Sequence, residues 1–278
     1  MTQPLLNADW LVPDWPAPPG VHAVFTTRTG GSSIAPWDTM NLGDHVGDRP
    51  AQVAANRARL SKALGAQAVF LQQVHGRDVR VLDCHTPDGT VADACVTQDA
   101  GVACTIMVAD CLPVLLTTAC GTAVGAAHAG WRGLAGTASG SPCGVVEAVY
   151  ESFTALALTK LACNATDLIA WLGPCIGPDA FEVGAEVKAA FDAVDATAAS
   201  CFKAAGPDKF MADLPALARL RLRALGITAV YGNDSSSAWC TASNPSRFFS
   251  HRRDAGPSGH GGNGFFTTGR MAACIWKG

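Results

Sequence analysis

The chain has 278 residues, of which 49% are hydrophobic and only 15% are charged, and this composition excludes an intrinsically disordered protein. The net charge is −3 at pH 7 and no run of lysine and arginine is present, so nucleic acid is not expected as a partner. Because no linker divides the chain, we expect residues 1–278 to form a single domain, with 1–20 as an N-terminal extension and 254–264 as a flexible loop insertion.

The N-terminal third of the chain predicts a strand, a helix and a second strand. VHAVFTTR, residues 21–28, is rich in β-branched and aromatic residues and ends at a glycine-rich turn. Residues 47–65 carry helix signals at both ends, with Asp48 as the expected N-cap and a glycine as terminator. AVFLQQVH, residues 68–75, predicts a strand that ends at His75.

Residues 101–129 form an apolar run almost long enough to span a membrane. Asp110, Pro113 and His128 interrupt this run, so it falls short of the roughly 20 clean apolar residues that a span requires. We expect two or three buried strands joined by tight turns. The strand candidates in and beside this run are residues 92–97, 102–109 and 123–128.

Helices and strands follow one another irregularly in the C-terminal half. The predicted helices are residues 142–160, 181–194 and 213–226, and the predicted strands are residues 168–173 and 227–232. Asp213 is the expected N-cap of the last helix, which has a proline in its first turn and a glycine at its end. Because strands and helices do not alternate regularly, we predict an α+β fold of mixed β-sheets flanked by helices rather than a doubly wound fold.

Cysteine usage and the first residues indicate a cytoplasmic location. The eleven cysteines form no CxxC pair, and their odd number favours reduced thiols over a disulfide framework. The opening stretch, MTQPLLNADW, lacks the basic and apolar segments of a secretory signal. We therefore expect a cytoplasmic protein that does not bind membranes, and we expect a monomer.

Three short motifs carry residue types that bind metals. QQVHG contains His75, ADCLP contains Cys111 and HAGWRG contains His128, and each lies at the end of an apolar strand beside a turn residue. Two imidazoles and one thiolate would leave a coordination position open, which is typical of a catalytic zinc site. The long spacing between the three residues is no signature in itself, so buried structural side chains are an equally good interpretation.

A second chemistry fits the same residues. Cys111 and His128 could act as the nucleophile and base of a thiol hydrolase, with Asp110 or Asp93 orienting the histidine. The sequence does not separate this pair from a metal-bound thiolate, since both need a lowered thiol pKa. Arg28, in TTRTGG, lies where a strand meets a glycine turn, and we expect it to hold an anion beside backbone N–H groups.

Taken together, these motifs resemble those of the YfiH family, also called the laccase-domain or multicopper polyphenol oxidase family. The matching stretches run in family order from about residue 21 to 277 and are FTTRTGGSS, NLGDHVGD, NRARL, LQQVHGRDV, ADCLPVLL, AAHAGWRG, LGPCIGP with FEVG, and RFFSHRRD with TGRMAACIW. The resemblance implies a YfiH-like fold layered α/β/β/α. It also implies that His75, Cys111 and His128 bind zinc, or copper in its place, in a surface cleft.

The resemblance further implies an activity, namely phosphorolysis of adenosine, inosine and methylthioadenosine, together with deamination of adenosine. Phosphorolysis needs a group that holds phosphate, for which Arg28 is the first candidate. Deamination needs an acid, for which Asp93 and Asp110 are the candidates. The expected partners are therefore a purine nucleoside and phosphate. The sequence departs from the family at WDTMNL, where a serine usually precedes NL, and at the insertion GPSGHGGNGFFT.

Three other functions stay open at this stage. The family also suggests a cytoplasmic hydrolase that removes wrongly built precursors of peptidoglycan. A copper-dependent polyphenol oxidase is less favoured, because a laccase needs a histidine-rich copper cluster and the seven histidines here include no HxH pair. The third is a non-enzymatic module in which zinc only fastens the fold.

Overall fold

The computed structural model describes residues 6–136, 143–160, 167–255 and 267–278. Its strands are β1 (Val21–Phe25), β2 (Gln67–Phe70), β3 (Val79–Val81), β4 (Ala94–Thr97), β5 (Val102–Val108), β6 (Leu112–Thr118), β7 (Val124–Ala129), β8 (Leu168–Leu172), β9 (Glu182–Gly184), β10 (Phe202–Gly206), β11 (Lys209–Ala212), β12 (Ala229–Gly232) and β13 (Met271–Lys277). Its helices are α1 (Pro50–Leu64), α2 (Trp131–Ala135), α3 (Val145–Lys160), α4 (Ala185–Asp192), α5 (Leu214–Ala224) and α6 (His251–Asp254). Two 3₁₀ turns cover Ala196–Cys201 and Ser237–Trp239.

Two β-sheets pack face to face at the centre of the structure. The first has four strands in the order β1-β13-β5-β2, and the second has six in the order β12-β8-β6-β7-β4-β3. A small third sheet, β10-β11-β9, is hydrogen-bonded to neither of them, and its residues Val183 and Ala212 pack in the core beside the six-stranded sheet. Paired strands run antiparallel except in the pairs β2–β5, β3–β4 and β8–β12, so both large sheets are mixed, as predicted.

Strand β5 shows how the layers arise from the sequence. All seven of its residues are buried, so it shows no alternation of polar and apolar positions. Cys104 and Ile106 pack in the cluster between the two sheets, whereas Ala103 and Met107 point to the opposite face and pack with residues of α1. Helices α3, α4 and α5 cover the outer face of the six-stranded sheet. The predicted α/β/β/α layering is therefore confirmed, and truncating Ile106 to alanine would cost about 2–5 kcal/mol.

Several predicted elements are confirmed. Residues 101–129 form three buried strands, β5, β6 and β7, and no described helix is long and apolar enough to cross a membrane. Helix α5 begins after Asp213, whose carboxylate accepts a hydrogen bond from the amide of Ala216 at 2.9 Å. Pro215 lies in its first turn, where a missing N–H costs nothing.

Three local predictions are wrong. Asp48 does not cap α1, because Arg49 is the N-cap and the Asp48 carboxylate instead accepts the Arg49 amide at 2.7 Å. The strand predicted to end at His75 ends at Phe70, which leaves His75 in a loop. The helix predicted for 181–194 starts only at α4, because the first residues pair as strand β9 with β11.

Other features were not predicted as elements. Strand β13 lies in the middle of the four-stranded sheet, between β1 and β5, and the hairpin of β10 and β11 is largely exposed. Nine described cysteines are free thiols, but Cys120 is disulfide-bonded, so the expectation of reduced thiols is wrong at this position. The insertion 254–264 lies almost entirely outside the described residues, and a single domain over 1–278 stays a prediction.

Candidate metal centre

Three side chains from distant parts of the chain meet at one end of the central sheets. The ligand atoms of His75, Cys111 and His128 all lie within 4.8 Å of one another, and the Cys111 Sγ is 3.8 Å from the His75 Nε2. The two imidazole rings meet edge to face, with their centroids 4.7 Å apart. We call this group the metal cluster. The three residues predicted as metal ligands are thus brought together.

The strands fix two members of the metal cluster. Cys111 follows the turn between β5 and β6, where Asp110 has a positive φ of 89° that redirects the chain sharply. His128 lies near the end of β7 and is paired with Pro113 of β6 in the antiparallel ladder. Because Cys111 directly precedes β6 and His128 lies in the adjacent strand β7, the pairing of these strands restricts the separation between thiol and imidazole.

Asp93 fixes the third member together with the second. Its buried carboxylate accepts hydrogen bonds from the backbone amides of Val74, His75 and Gly76, and these three bonds hold the loop that carries His75. The same carboxylate lies 2.9 Å from the His128 Nδ1. A proton on Nδ1 leaves the Nε2 lone pair of His128 free, which is the arrangement found behind metal-bound histidines.

Electrostatics favour an ionised thiol within the cluster. Burial raises the pKa of Cys111, but the charge of His128 and hydrogen bonds from both histidines outweigh burial and lower this pKa to about 6. Burial opposes protonation of His128, but Cys111 and Asp93 raise its pKa to about 9. Burial also disfavours the charged form of Asp93, yet the hydrogen bond and charge of His128 and the loop amides bring its pKa below its usual value. Without metal, thiolate and imidazolium therefore form an ion pair near neutral pH.

The donor set and spacing fit a metal ion. A tetrahedral zinc ion with its usual bond lengths would place a sulfur and a nitrogen ligand about 3.6 Å apart. The observed separation between Cys111 Sγ and His75 Nε2 is 3.8 Å. Three protein ligands around one ion would leave a fourth position open toward solvent and substrate.

The glycines of HAGWRG allow this close approach. A Cβ at Gly130 would lie 3.0 Å from the Cys111 Sγ and 3.2 Å from the His75 Cδ2. A Cβ at Gly133 would lie 2.6 Å from the carbonyl oxygen of Gly76. Side chains at these positions would push the cluster apart, which explains why the motif surrounds its histidine with glycines.

The metal cluster opens into a cavity of about 340 Å³. Its apolar lining includes Trp131, Phe181 and Leu214. Its basic lining includes Arg132 and a group of four residues that we call the basic wall, namely His45, His251, Arg252 and Arg270. Burial, followed by the charge of Arg270, lowers the pKa of both His45 and His251. The cavity therefore offers a hydrophobic surface and a positively charged surface beside one possible metal site.

Asp110 lines the same cavity, but its carboxylate is occupied. One oxygen accepts a short hydrogen bond from the Thr241 hydroxyl at 2.5 Å, and the other accepts the Ser250 hydroxyl at 3.1 Å and the Arg252 amide at 2.7 Å. These bonds tie the β5–β6 turn to helix α6. Asp110 thus holds the site together, and its geometry is that of a positioning residue.

Arg28 is not brought to the cavity. Its guanidinium donates to the carbonyl oxygens of Asp38 and Pro245, pairs with the Asp38 carboxylate at 3.3 Å and lies over the ring of Phe249. Arg28 is absent from the described lining of the cavity. The structure therefore gives no support to Arg28 as the phosphate holder, and it offers other basic residues in that place.

Comparison with known proteins identifies the family. A family model described as multi-copper polyphenol oxidoreductase laccase matches residues 22–278. The chain belongs to this family. A purine nucleoside phosphorylase of Pseudomonas aeruginosa is 47% identical over 98% of this chain and 99% of its own length. Purine nucleoside phosphorylase YfiH of Escherichia coli is 45% identical over 96% of this chain and 98% of its own length.

Solved structures of similar proteins share the fold. Protein NMB0706 of Neisseria meningitidis superposes with a TM-score of 0.80 at 41% identity, covering 97% of this chain and 99% of its own. YlmD of Geobacillus stearothermophilus superposes with a TM-score of 0.78 at 28% identity, covering 100% and 99%. The resemblance and the fold class predicted from the sequence motifs are thereby confirmed.

Sequence reasoning missed most of the basic wall. His45, His251 and Arg270 carry no periodic or spacing signal that points to a common site. The available signal was their position inside the family motifs NLGDHVGD, RFFSHRRD and TGRMAACIW. Arg252, which follows His251 in the motif RFFSHRRD, also lines the cavity.

Proposed function

We propose that this protein is a zinc-dependent purine nucleoside phosphorylase that acts on adenosine, inosine and methylthioadenosine and also deaminates adenosine. The observation that carries the proposal is the metal cluster at the wall of a cavity with both apolar and basic sides. The names of the relatives at 45–47% identity support the phosphorylase activity. The cavity volume of about 340 Å³ lies at the lower end of the range for small-molecule sites.

Phosphorolysis needs a surface that binds the purine, a site that binds phosphate and a group that exchanges a proton. In phosphorolysis the glycosidic bond breaks, a phosphate oxygen forms a bond to the ribose C1′, and the base leaves with the electron pair and takes up a proton. Trp131 and Phe181 offer apolar surface against which a purine can pack. The basic wall attracts the phosphate dianion to the same space.

A bound zinc ion would supply a Lewis acid with an open coordination position beside the substrate. His75, Cys111 and His128 would hold it, and Asp93 would keep His128 in the correct tautomer. Both aspartates considered as acids, Asp93 and Asp110, already accept several hydrogen bonds. We therefore assign them to orienting the site, which leaves His251 and His45 as the cavity groups able to exchange a proton.

Copper-dependent polyphenol oxidation is the second candidate, because the family description names it. Copper can replace zinc at a site with two histidines and one cysteine. Within the described residues, however, only one group of three possible metal ligands is present, and reduction of O₂ in a laccase needs a further copper cluster. We therefore rank oxidation below phosphorolysis. The cytoplasmic location predicted from the sequence is kept as part of this proposal.

The proposal is tested by measuring metal content and nucleoside turnover together. Protein purified without added metal should contain about one zinc per chain, and incubation with adenosine should give adenine and ribose 1-phosphate only when phosphate is present. Inosine would report deamination. Cys111→Ala should lose metal and turnover, whereas Cys84→Ala, which removes an exposed free thiol elsewhere, should lose neither. Full zinc occupancy without any nucleoside turnover would contradict the proposal and favour the peptidoglycan-precursor hydrolase.

A further inference from the structure

Two loops that are far apart in the sequence are joined by hydrogen bonds beside the cavity. The amide of Arg270 donates to the side-chain oxygen of Asn41 at 2.9 Å, and the amide of Leu42 donates to the carbonyl of Arg270 at 3.1 Å. Asn41 also closes its own loop by bonding both polar backbone atoms of Gly43. These contacts fix Arg270 next to the loop that carries His45.

The absence of a side chain at Gly43 makes room for the side chain of Arg270. A Cβ at Gly43 would lie 2.8 Å from the Cγ of Arg270, so the arginine stem packs directly on the bare backbone of this glycine. Within the described residues, the guanidinium of Arg270 donates to the carbonyl oxygens of Thr268 and Gly269 in its own loop. The side chain is thus held in one place while its positive charge stays uncompensated by these contacts.

Among the described residues, no carboxylate lies within ion-pair distance of the two arginines of the basic wall, whereas the His45 Nδ1 lies 3.4 Å from a carboxylate oxygen of Asp44. The described arginines that lie within ion-pair distance of a carboxylate are Arg28, Arg57, Arg221 and Arg253. Arg252 and Arg270 are not among them, and Arg252 donates to the carbonyls of Ala180 and Glu182 instead. Half-buried charges in proteins are normally paired, so the half-buried Arg270 guanidinium, with the exposed Arg252 on the same cavity wall, indicates a place for an anion.

The acidic groups closest to this wall are already engaged. Asp44 pairs with Arg57 at 3.2 Å through one oxygen, and its other oxygen lies 3.4 Å from the Nδ1 of His45. Asp110 accepts two hydroxyls and one amide. Burial lowers the pKa of Arg270, while Cys111 and Asp110 partly oppose this effect, which places the guanidinium in a desolvated position near the metal cluster. An incoming anion would therefore find fixed donors with little competition.

We propose that Arg270, with His45, His251 and Arg252, forms the binding site for inorganic phosphate in this cavity, next to the metal cluster. This assignment rests on the proposed function and moves the phosphate site from Arg28 to Arg270. A guanidinium offers two parallel N–H groups that match two oxygens of a phosphate dianion. The bond that phosphate forms to the ribose C1′ then needs only a nucleoside packed on the apolar side of the same cavity.

Direct binding of inorganic phosphate tests the assignment without relying on turnover. Calorimetry on metal-loaded protein should show phosphate binding that Arg270→Gln weakens by about ten- to a hundredfold, as expected for loss of a charged hydrogen-bonding group. Arg80→Gln removes one positive charge from an exposed position on β3 and should leave the affinity unchanged. Arg270→Lys keeps the positive charge but loses the two parallel N–H donors, so its phosphate affinity should be intermediate. This variant serves as a second test if Arg270→Gln fails to fold.

Kinetics and a nucleotide then separate the possible results. The KM for phosphate should rise in Arg270→Gln while the affinity for adenosine changes little. An unchanged phosphate affinity in folded Arg270→Gln would overturn the assignment, even if the wild type proved to be a phosphorylase. Loss of phosphate binding in a protein without any phosphorolysis would support the site and contradict the proposed function. AMP supplies a phosphate attached to the nucleoside, and an effect confined to AMP would overturn the assignment to free phosphate.

Discussion

The metal cluster and the basic wall share one cavity, but the protein builds them in different ways. Cys111 directly precedes β6 and His128 lies in the neighbouring strand β7, so the β6–β7 ladder restricts their separation. The basic wall comes from loops and one short helix, and single side chains, Asn41 and Asp110, clip these segments together. A strand ladder leaves little freedom, whereas clipped loops can shift by fractions of an ångström. Substitutions in the metal cluster should therefore have large effects on metal binding, whereas substitutions in the basic wall should weaken phosphate binding to graded extents.

The largest effect is expected from removal of the thiol. Cys111→Ser keeps the volume of the side chain but replaces a thiolate that is ionised near neutral pH with a hydroxyl that is not. Two histidines alone form a weak site, so metal affinity should fall by more than about a hundredfold, beyond what outer-shell changes cause. Metal content after gel filtration measures this, with Cys143→Ser as the matched control. Retention of stoichiometric zinc would remove Cys111 from the cluster.

The next effect is expected at Asp93, which supports the cluster from behind. Asp93→Asn replaces a carboxylate that accepts three loop amides and faces the His128 Nδ1. Loss of the charge and of one acceptor should lower metal affinity roughly 10–100-fold. Chelator competition on the folded variant measures the affinity, and thermal unfolding reports the loss of the loop contacts. If only stability changed, Asp93 would serve the fold and not the metal cluster.

A third prediction uses the pH dependence of the thiol in metal-free protein. The thiolate is the form that reacts with iodoacetamide, and its pKa is lowered to about 6. Alkylation of Cys111 should therefore persist at neutral pH and fall as the pH drops through about 6. Removing the imidazolium in His128→Ala should move the midpoint upward by about one unit or more, a tenfold change in the ionisation equilibrium. Peptide mass spectrometry assigns the site; an unshifted midpoint would show that His128 does not stabilise the thiolate.

The difference between residues positioned by strands and residues positioned by loops also explains which parts of the site could be predicted from the sequence. Cys111 lies between the apolar strands β5 and β6, and His128 lies near the end of the apolar strand β7, so the sequence motifs locate both the strands and these two residues. His75 lies in a loop that hydrogen bonds to Asp93 hold in place, with a positive φ of 62°, and a strand was predicted through it because QQVH continues an apolar run. The residues of the basic wall are joined by long-range loop contacts, which no local pattern encodes.

Arg28 and β13 illustrate the limits further. Arg28 follows a strand and precedes glycines, a pattern typical of an anion site, but its guanidinium pairs with Asp38. The stretch that forms β13 matches a family motif but carries no local strand signal, and its position between β1 and β5 depends on pairing with strands more than a hundred residues away. The family resemblance supplied the layering and the ligand set, while the roles of loop side chains required the structure.

The smallest effect is expected from a change that touches the basic wall only through packing. In Gly43→Ala the new methyl group would meet the Cγ of Arg270 at 2.8 Å, and the arginine stem must move to relieve the contact. The hydrogen bond from the Arg270 amide to the Asn41 side chain does not involve the side chain of Arg270, so the fold and the metal content should survive. A displaced guanidinium still attracts phosphate but no longer matches two of its oxygens. The affinity for phosphate should therefore fall by a few-fold, less than in Arg270→Gln, as measured by the same calorimetry.

Gly89→Ala, in a positive-φ turn with open space around it, strains the backbone without approaching the cavity and is the matched control. Equal losses in the two variants would mean that general backbone strain, and not the position of Arg270, sets the phosphate affinity.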